Sequence, residues 1–214
     1  MVNTEPATQA SAFEFSGGAL CLDFVNTLGD RPRRSEELLG NYFDLLRWAE
    51  TAGLVDQAEG RRLERQAGRQ AARAGRAFDD AIRLRERLYG IFSALAAEDR
   101  PQSGELAALN VALGEALPHL RLEQRDGRFR WHWAGAAHRL DRLLWPVTRS
   151  AAELLTSSEV ALVRECASDR CSWMFIDRSR THRRRWCDMK TCGNRAKARR
   201  HYERRKQRSL AGSR

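Results

Sequence analysis

Apolar positions recur at helical spacing along most of the chain, and the earliest pattern is the exception. Leu20, Leu22 and Phe24 alternate with Cys21, Asp23 and Val25, the period of a strand with one face more apolar than the other. Asn26-Thr27, with Gly29 close behind, predicts its end. From Ser35 the spacing turns helical: Leu38, Leu39, Tyr42, Leu45, Leu46 and Ala49 recur three and four apart, with Glu36 and Glu37 in the first turn and a stop near Gly53. A second helix is predicted after Asp56. A long one follows from about 77 to 97, where Phe78, Ile82, Leu84, Leu88, Ile91, Phe92 and Leu95 form a broad stripe; Gly60, Gly68 and Gly75 leave the stretch between undecided. Residues 104–117 carry Leu106, Leu109, Leu113 and Leu117 on one side.

Residues 120–133 then read as a hairpin. Asp126-Gly127 supplies a two-residue turn, and Leu120 and Leu122 oppose Phe129, Trp131 and Trp133, on a strand expected to face the core. A helix follows over roughly 140–156, its start delayed or kinked by Pro146. The fold class is therefore α+β. A mostly helical N-terminal domain with a small sheet is expected over 13–158, after a polar, disordered segment 1–12.

Charge changes the picture. The net formal charge is +10. Residues 166–214 hold 16 Lys and Arg against four acids, a surplus of twelve, which leaves residues 1–165 two negative. Basicity confined to the last quarter of a chain points to a polyanionic partner met there. The N-terminus shows neither the basic start nor the apolar run of a secretion signal, and nowhere do apolar residues run long enough to span a bilayer. The expected setting is the cytoplasm, where thiols stay reduced.

The basic segment also contains four of the five cysteines, as Cys166-x4-Cys171 and Cys187-x4-Cys192. Two short chelating loops of soft thiolates suit tetrahedral zinc. Four thiolates close the shell, so one structural Zn2+ without a reactive water is expected, its binding energy serving as folding energy. Residues 173–177 read as a strand, 178–182 as a turn, and 184–186 as a returning strand. The run from Arg195 to Lys206 has the composition of a helix. This describes a small treble-clef-like or ribbon-like four-cysteine zinc finger over 159–208 ending in a basic helix, with a short disordered tail over 209–214.

Arg195, Arg199 and Lys206 share one stripe of that helix, Arg200 and Arg204 a neighbouring row, and Lys197 lies beside them; Arg178, Arg180, Arg183, Arg184 and Arg185 form a second patch on the preceding loop. These eleven residues are the candidate phosphate contacts. Trp173, Phe175 and Trp186 either pack around the metal or, if exposed, stack on unpaired bases. The amides at Gly193 and Asn194 are expected to donate to a thiolate.

The tetrapeptide Cys192-Gly193-Asn194-Arg195, with Phe175-Ile-Asp-x-Ser-Arg180 and Arg185-Trp186-Cys187-x-Met189-x-x-Cys192, resembles the CGNR zinc-finger proteins. The stretch Gly18-x-Leu20-Cys-Leu-Asp-Phe-Val-Asn-Thr27, with Tyr42-x-Asp-Leu-x-x-Trp48, is similar to the ABATE domain that precedes the finger in that family. The resemblance implies a bacterial transcription regulator whose finger binds DNA, with RNA as the alternative polymer.

In the N-terminal domain Asp23, Asn26, Thr27 and Arg31 gather polar groups at the predicted strand end. They read either as a small-ligand site or as a cap and turn. No Ser-His-Asp order, phosphate-cradling glycine loop, paired carboxylates or HExxH is present, so the sequence offers little support for an enzyme. The reading is thus a two-part regulator. The finger engages nucleic acid, DNA ahead of RNA, and the N-terminal domain senses a ligand or mediates assembly. A ribosome- or RNA-associated zinc ribbon and a module that docks an acidic protein are the alternatives. No heptad seam indicates an oligomeric state.

Overall fold

The computed structural model describes residues 13–31, 36–135 and 139–211, with side chains to Arg205. Residues 1–12 and 212–214, expected to be disordered, lie outside the described residues.

The segment read as a strand is a helix, α1 (Leu20–Val25), entered from Gly18 at φ +85° and an extended Ala19. Cys21, Leu22, Phe24 and Val25 are all fully buried. The reason for the difference is physical: a single helical turn and a half packed between α4 (Ala71–Ala96), α6 (Trp145–Leu155) and a strand of the C-terminal part has no solvent face. With no polar stripe to mark a 3.6-residue period, a short buried run is ambiguous from sequence.

The helix predicted from Ser35 also begins later. Ser35 lies outside the described residues. Glu36–Glu37 form strand β2, paired antiparallel with β1 (Leu28–Gly29), and α2 runs Tyr42–Thr51. Asn41 sets that start, because its side chain accepts from the amides of Phe43 and Asp44. Asp56 caps α3 (Gln57–Arg69) by accepting from Glu59 N. The undecided glycines all sit inside helices. At Gly60 a Cβ would meet the Glu50 carboxylate, the end of an exposed side chain, so a larger residue there would displace that side chain.

Strands β3 (Leu120–Arg125) and β4 (Arg128–Trp133) follow α5 (Ser103–Ala116) and pair as predicted, with Leu120 opposite Trp133 and Leu122 opposite Trp131. Their placement differs from expectation. Leu122, Phe129 and Trp131 are exposed, and only the pair Leu120 and Trp133 at the hairpin's base is half-buried, Trp133 against Trp145 and Ala116. In the stripe expected over 104–117, Leu106 and Leu117 are likewise exposed, whereas Leu109 is buried. A 3-10 turn over Leu140–Leu144 and then Pro146 in the first turn of α6 account for the delayed helix.

The C-terminal part opens with β5 (Val163–Glu165), paired antiparallel with β6 (Met174–Ile176). The returning strand expected at 184–186 does not form, and the partner of Phe175 is Arg164. The first cysteine pair is thus the turn of the hairpin rather than a loop before it. Upstream residues 163–165 outcompete 184–186 for the edge of β6 because Val163, Met174 and Ile176 join the core of the helical domain, which the arginine-rich 183–185 run could not do. The chain ends in α7 (Asn194–Ala211), running into the stretch expected to be a tail. Among the described residues no helix is long and apolar enough to cross a membrane.

Candidate metal centre and nucleic-acid interface

Cys166 and Cys171 flank the β5–β6 turn, and Cys187 and Cys192 flank the turn entering α7, which winds as one π-helical turn over Met189–Gly193. Asp188 caps that turn by accepting from the amide and hydroxyl of Thr191. All four thiols are buried and free of disulfides. Their sulfur atoms lie within 4.8 Å of one another, and the Cys171–Cys187 and Cys187–Cys192 separations are both 3.7 Å. A disulfide needs about 2.05 Å. The edge of a tetrahedron with Zn–S bonds of about 2.3 Å is about 3.8 Å. The cluster therefore fits one structural Zn2+ held by Cys166, Cys171, Cys187 and Cys192.

The surrounding bonds support the ligands. The Cys187 amide donates to Cys166 Sγ at 3.5 Å, a contact that stabilises thiolate charge. The amides of Gly193 and Asn194, expected to face sulfur, instead donate to backbone carbonyls, Gly193 to Asp188 O and Asn194 to Met189 O, while the Asn194 side chain donates to Lys190 O. Gly193 packs under the exposed Met189 side chain, which a Cβ there would displace. Between the cysteine pairs, the buried Asp177 ties the loop, accepting from Ser179 N at 3.0 Å and Arg184 N at 2.8 Å. Burial works against its ionisation, yet these donors hold its carboxyl below the ordinary value.

The eleven candidate cations separate into two groups. Arg178 is paired with Glu159 and donates to Gly18 O. Arg184 lies 4.5 Å over the Phe175 ring and donates to the carbonyls of Trp186 and Cys187. Arg199 is paired with Asp169, with Glu203 at 3.8 Å. These three already have partners within the chain. Arg180, Arg183, Arg185, Arg195, Lys197, Arg200 and Arg204 are exposed and have no carboxylate partner among the described residues. The Lys206 side chain lies outside the described residues. From Asn194 to Arg205 every side chain of α7 is exposed except the half-buried Ala196, so the helix projects from the body.

The sequence alone divides the loop arginines and the α7 arginines into two patches. Trp186 joins them: Arg185 lies 5.2 Å from its ring centroid and Arg200 6.0 Å. Phe175 is fully buried, and Trp173 and Trp186 pack on the cysteine cluster, so these rings serve the metal core.

Asp23, Asn26, Thr27 and Arg31 do come together at the end of α1, each with intramolecular partners. Asn26 donates to Met174 O at 2.9 Å and accepts from Met174 N at 2.7 Å. Thr27 donates to Phe24 O and accepts from the buried Arg85, whose guanidinium also grips Glu37. Arg31 donates to the carbonyls of Leu28 and Val25 and lies 4.0 Å over Tyr89. Asp23 accepts from Gly17 N at 2.8 Å.

Burial pushes the Asp23 carboxyl up to about 6, against the opposing effect of the Gly17 amide. An acid raised in the folded state is ionised first in the unfolded chain, so stability should fall as pH rises from about 4 to about 6 and stay level above that. Asp23→Asn should remove most of that fall, about 2 kcal/mol once screening by nearby water is allowed for. Urea unfolding of both proteins across this pH window measures it, and parallel pH profiles would show that Asp23 is not the source.

Residues 18–158 match the family described as "putative stress-induced transcription regulator", ABATE, and residues 163–205 match the CGNR zinc finger. The chain belongs to the ABATE family and carries a CGNR finger. No curated protein matches it. Both families are of regulator and zinc-finger type rather than enzymes. In this ABATE–CGNR chain the two matched regions share one hydrophobic core through Val163, Met174 and Ile176, and Asn26 and Arg178 bind across them.

Proposed function

We propose that this protein is a zinc-dependent transcription regulator whose finger binds duplex DNA and whose ABATE domain senses a ligand or mediates assembly. The observation that carries the reading is the projecting α7, whose unpaired Arg195, Lys197, Arg200 and Arg204 are continuous through Trp186 with Arg180, Arg183 and Arg185. An α-helix with its side chains is about 10–12 Å across, and the B-DNA major groove is about 12 Å wide. Zinc supplies no chemistry at the phosphate; held by the four cysteines, it fixes the angle at which α7 leaves the body.

Three of the candidate arginines, Arg178, Arg184 and Arg199, position the finger rather than contact phosphate. Buried Phe175 and the half-buried Trp173 and Trp186 offer little open ring surface for unpaired bases, which favours duplex over single strands. The RNA reading keeps one supporting observation, the Arg185–Trp186–Arg200 stack, whose rim a splayed base could reach.

The test uses the full-length, zinc-loaded chain titrated on duplex DNA, single-stranded DNA and structured RNA at several salt concentrations. If about five of the seven unpaired cations meet phosphate, the log–log salt slope on duplex DNA should be roughly −5. Arg200→Ala and Lys197→Ala should each lower its magnitude by about 1. Tighter, salt-sensitive binding to structured RNA would move the assignment to RNA. No salt-sensitive binding to any of the three polymers would sink the nucleic-acid reading.

A further inference from the structure

A cleft of about 230 Å³ lies between β1–β2 on one side and the metal-binding loops on the other. Its walls carry opposite charges that do not meet. Asp30 and Glu36 line the side formed by the ABATE domain, with Glu14 beside them; Arg170 and Arg195 line the finger side. Among the described residues no ion pair crosses the cleft, and none of these five has an oppositely charged partner. One carboxylate oxygen of Asp30 is shut off from solvent and accepts no hydrogen bond, although a buried polar atom ordinarily has a partner. Asp30 is also held at φ +47°, a conformation that residues other than glycine seldom adopt. Leu38 and Trp173 give the cleft an apolar wall, and Gly29, Thr191 and three of the four zinc ligands, Cys171, Cys187 and Cys192, complete the lining, so the cleft borders the metal centre.

We propose that this cleft binds a small zwitterion of amino-acid size, with its ammonium group against Asp30 and Glu36 and its carboxylate on Arg170 and Arg195. The charges select the class. A simple anion would meet three carboxylates on one wall, and a simple cation would meet two guanidinium groups on the other; a molecule with both charges satisfies both walls and supplies the positive charge that the half-buried Asp30 carboxylate lacks. The volume, part of which adjoins the zinc ligands, is below the roughly 300–1,000 Å³ of pockets for drug-sized ligands and limits the occupant to a molecule no larger than one amino acid.

The site deepens the ligand-sensing half of the proposed function and has a direct route to the other half. Arg195 belongs both to the cleft and to the first turn of α7, so a bound carboxylate would draw that guanidinium from the phosphate-facing surface toward the cleft.

The experiment uses the full-length, zinc-loaded protein, with thermal shift and titration calorimetry against the free protein amino acids. Each is paired with its decarboxylated amine and its deaminated acid. At least one amino acid should raise the melting temperature in a saturable manner, and its amine and acid analogues should bind more weakly by about tenfold or more. Arg170→Ala and Asp30→Asn should each weaken binding by about tenfold with zinc content unchanged; asparagine tolerates the positive φ, so the second variant tests charge rather than backbone. Absence of binding by every amino acid would overturn the proposal, as would equal binding by the amine or acid analogues, or unchanged affinity in both variants. No nucleic acid enters the assay, so failure of the DNA reading and failure of this one are distinguishable.

Discussion

Removing zinc from the full-length chain, or replacing Cys187 with serine, should release residues 177–193 and α7 while β5 and β6 stay folded. Cys187 Sγ is 3.7 Å from the sulfurs of both Cys171 and Cys192, so its loss opens the shell toward both chelating loops. Zinc binding to finger peptides contributes about 10–16 kcal/mol, far more than any single contact in the loop. What the metal holds has little else to hold it. Its own apolar cluster is Phe175 and the four cysteines, with Trp173 and Trp186 packed against them, and α7 offers no buried face beyond its first turn. The hairpin differs, because Val163, Met174 and Ile176 are buried in the helical domain's core. Hydrogen exchange should show amides of the Cys187–Cys192 turn and α7 losing protection on chelation while those of 163–165 and 174–176 keep it. Salt-sensitive nucleic-acid binding should disappear in the same step. Uniform loss of protection through β5 and β6 would show instead that the metal holds the entire C-terminal part.

The same partition separates what is legible in the sequence from what is not. The zinc ligands are legible because chelation is local: two pairs at fixed spacing are enough, wherever the connecting chain goes. The long helices are legible for a related reason, since α4 and α6 have one buried face and one wet face. The strand pairing of the finger is not. Whether residues 174–176 pair with 163–165 or with 184–186 depends on which side faces the helical core, a contact between residues far apart in the chain, such as Asn26 and Met174. The helix α1 is hidden for a similar reason, being buried on all sides. The hairpin at 120–133 shows its register through the Asp126-Gly127 turn, but its exposure cannot be read from alternation, which is identical whether the apolar face meets a core or water. Among the arginines, composition marks the region and does not separate the partnered Arg178, Arg184 and Arg199 from those without a carboxylate or ring partner; the partners Glu159, Phe175 and Asp169 are set by the tertiary fold.

Asn26 clamps the finger's hairpin to the ABATE domain beside their shared apolar core, and Asn26→Leu should be strongly destabilising. The side chain is 2% exposed and pairs with both the N–H and the C=O of Met174, acting as a stand-in strand along the free edge of β6. Leucine matches its volume and removes both bonds, leaving a donor and an acceptor of the backbone buried without partners. Each such group costs about 1–3 kcal/mol, so a loss of about 2–5 kcal/mol is expected. For a chain of this size that corresponds to a melting temperature lower by roughly 10 °C. Asn26→Asp retains an acceptor for the Met174 amide but loses the donor and buries a charge, so it should not rescue. The consequence reaches function through geometry. Met174 adjoins Trp173 and lies three residues from Cys171, so loosening it frees the metal loops to move against the ABATE domain. Asn26→Leu protein should therefore bind zinc with all four cysteines and still show faster exchange of the β6 amides. A variant that melts like the parent would show that the clamp contributes little, and that apolar contacts at Met174 and Ile176 alone join finger to domain.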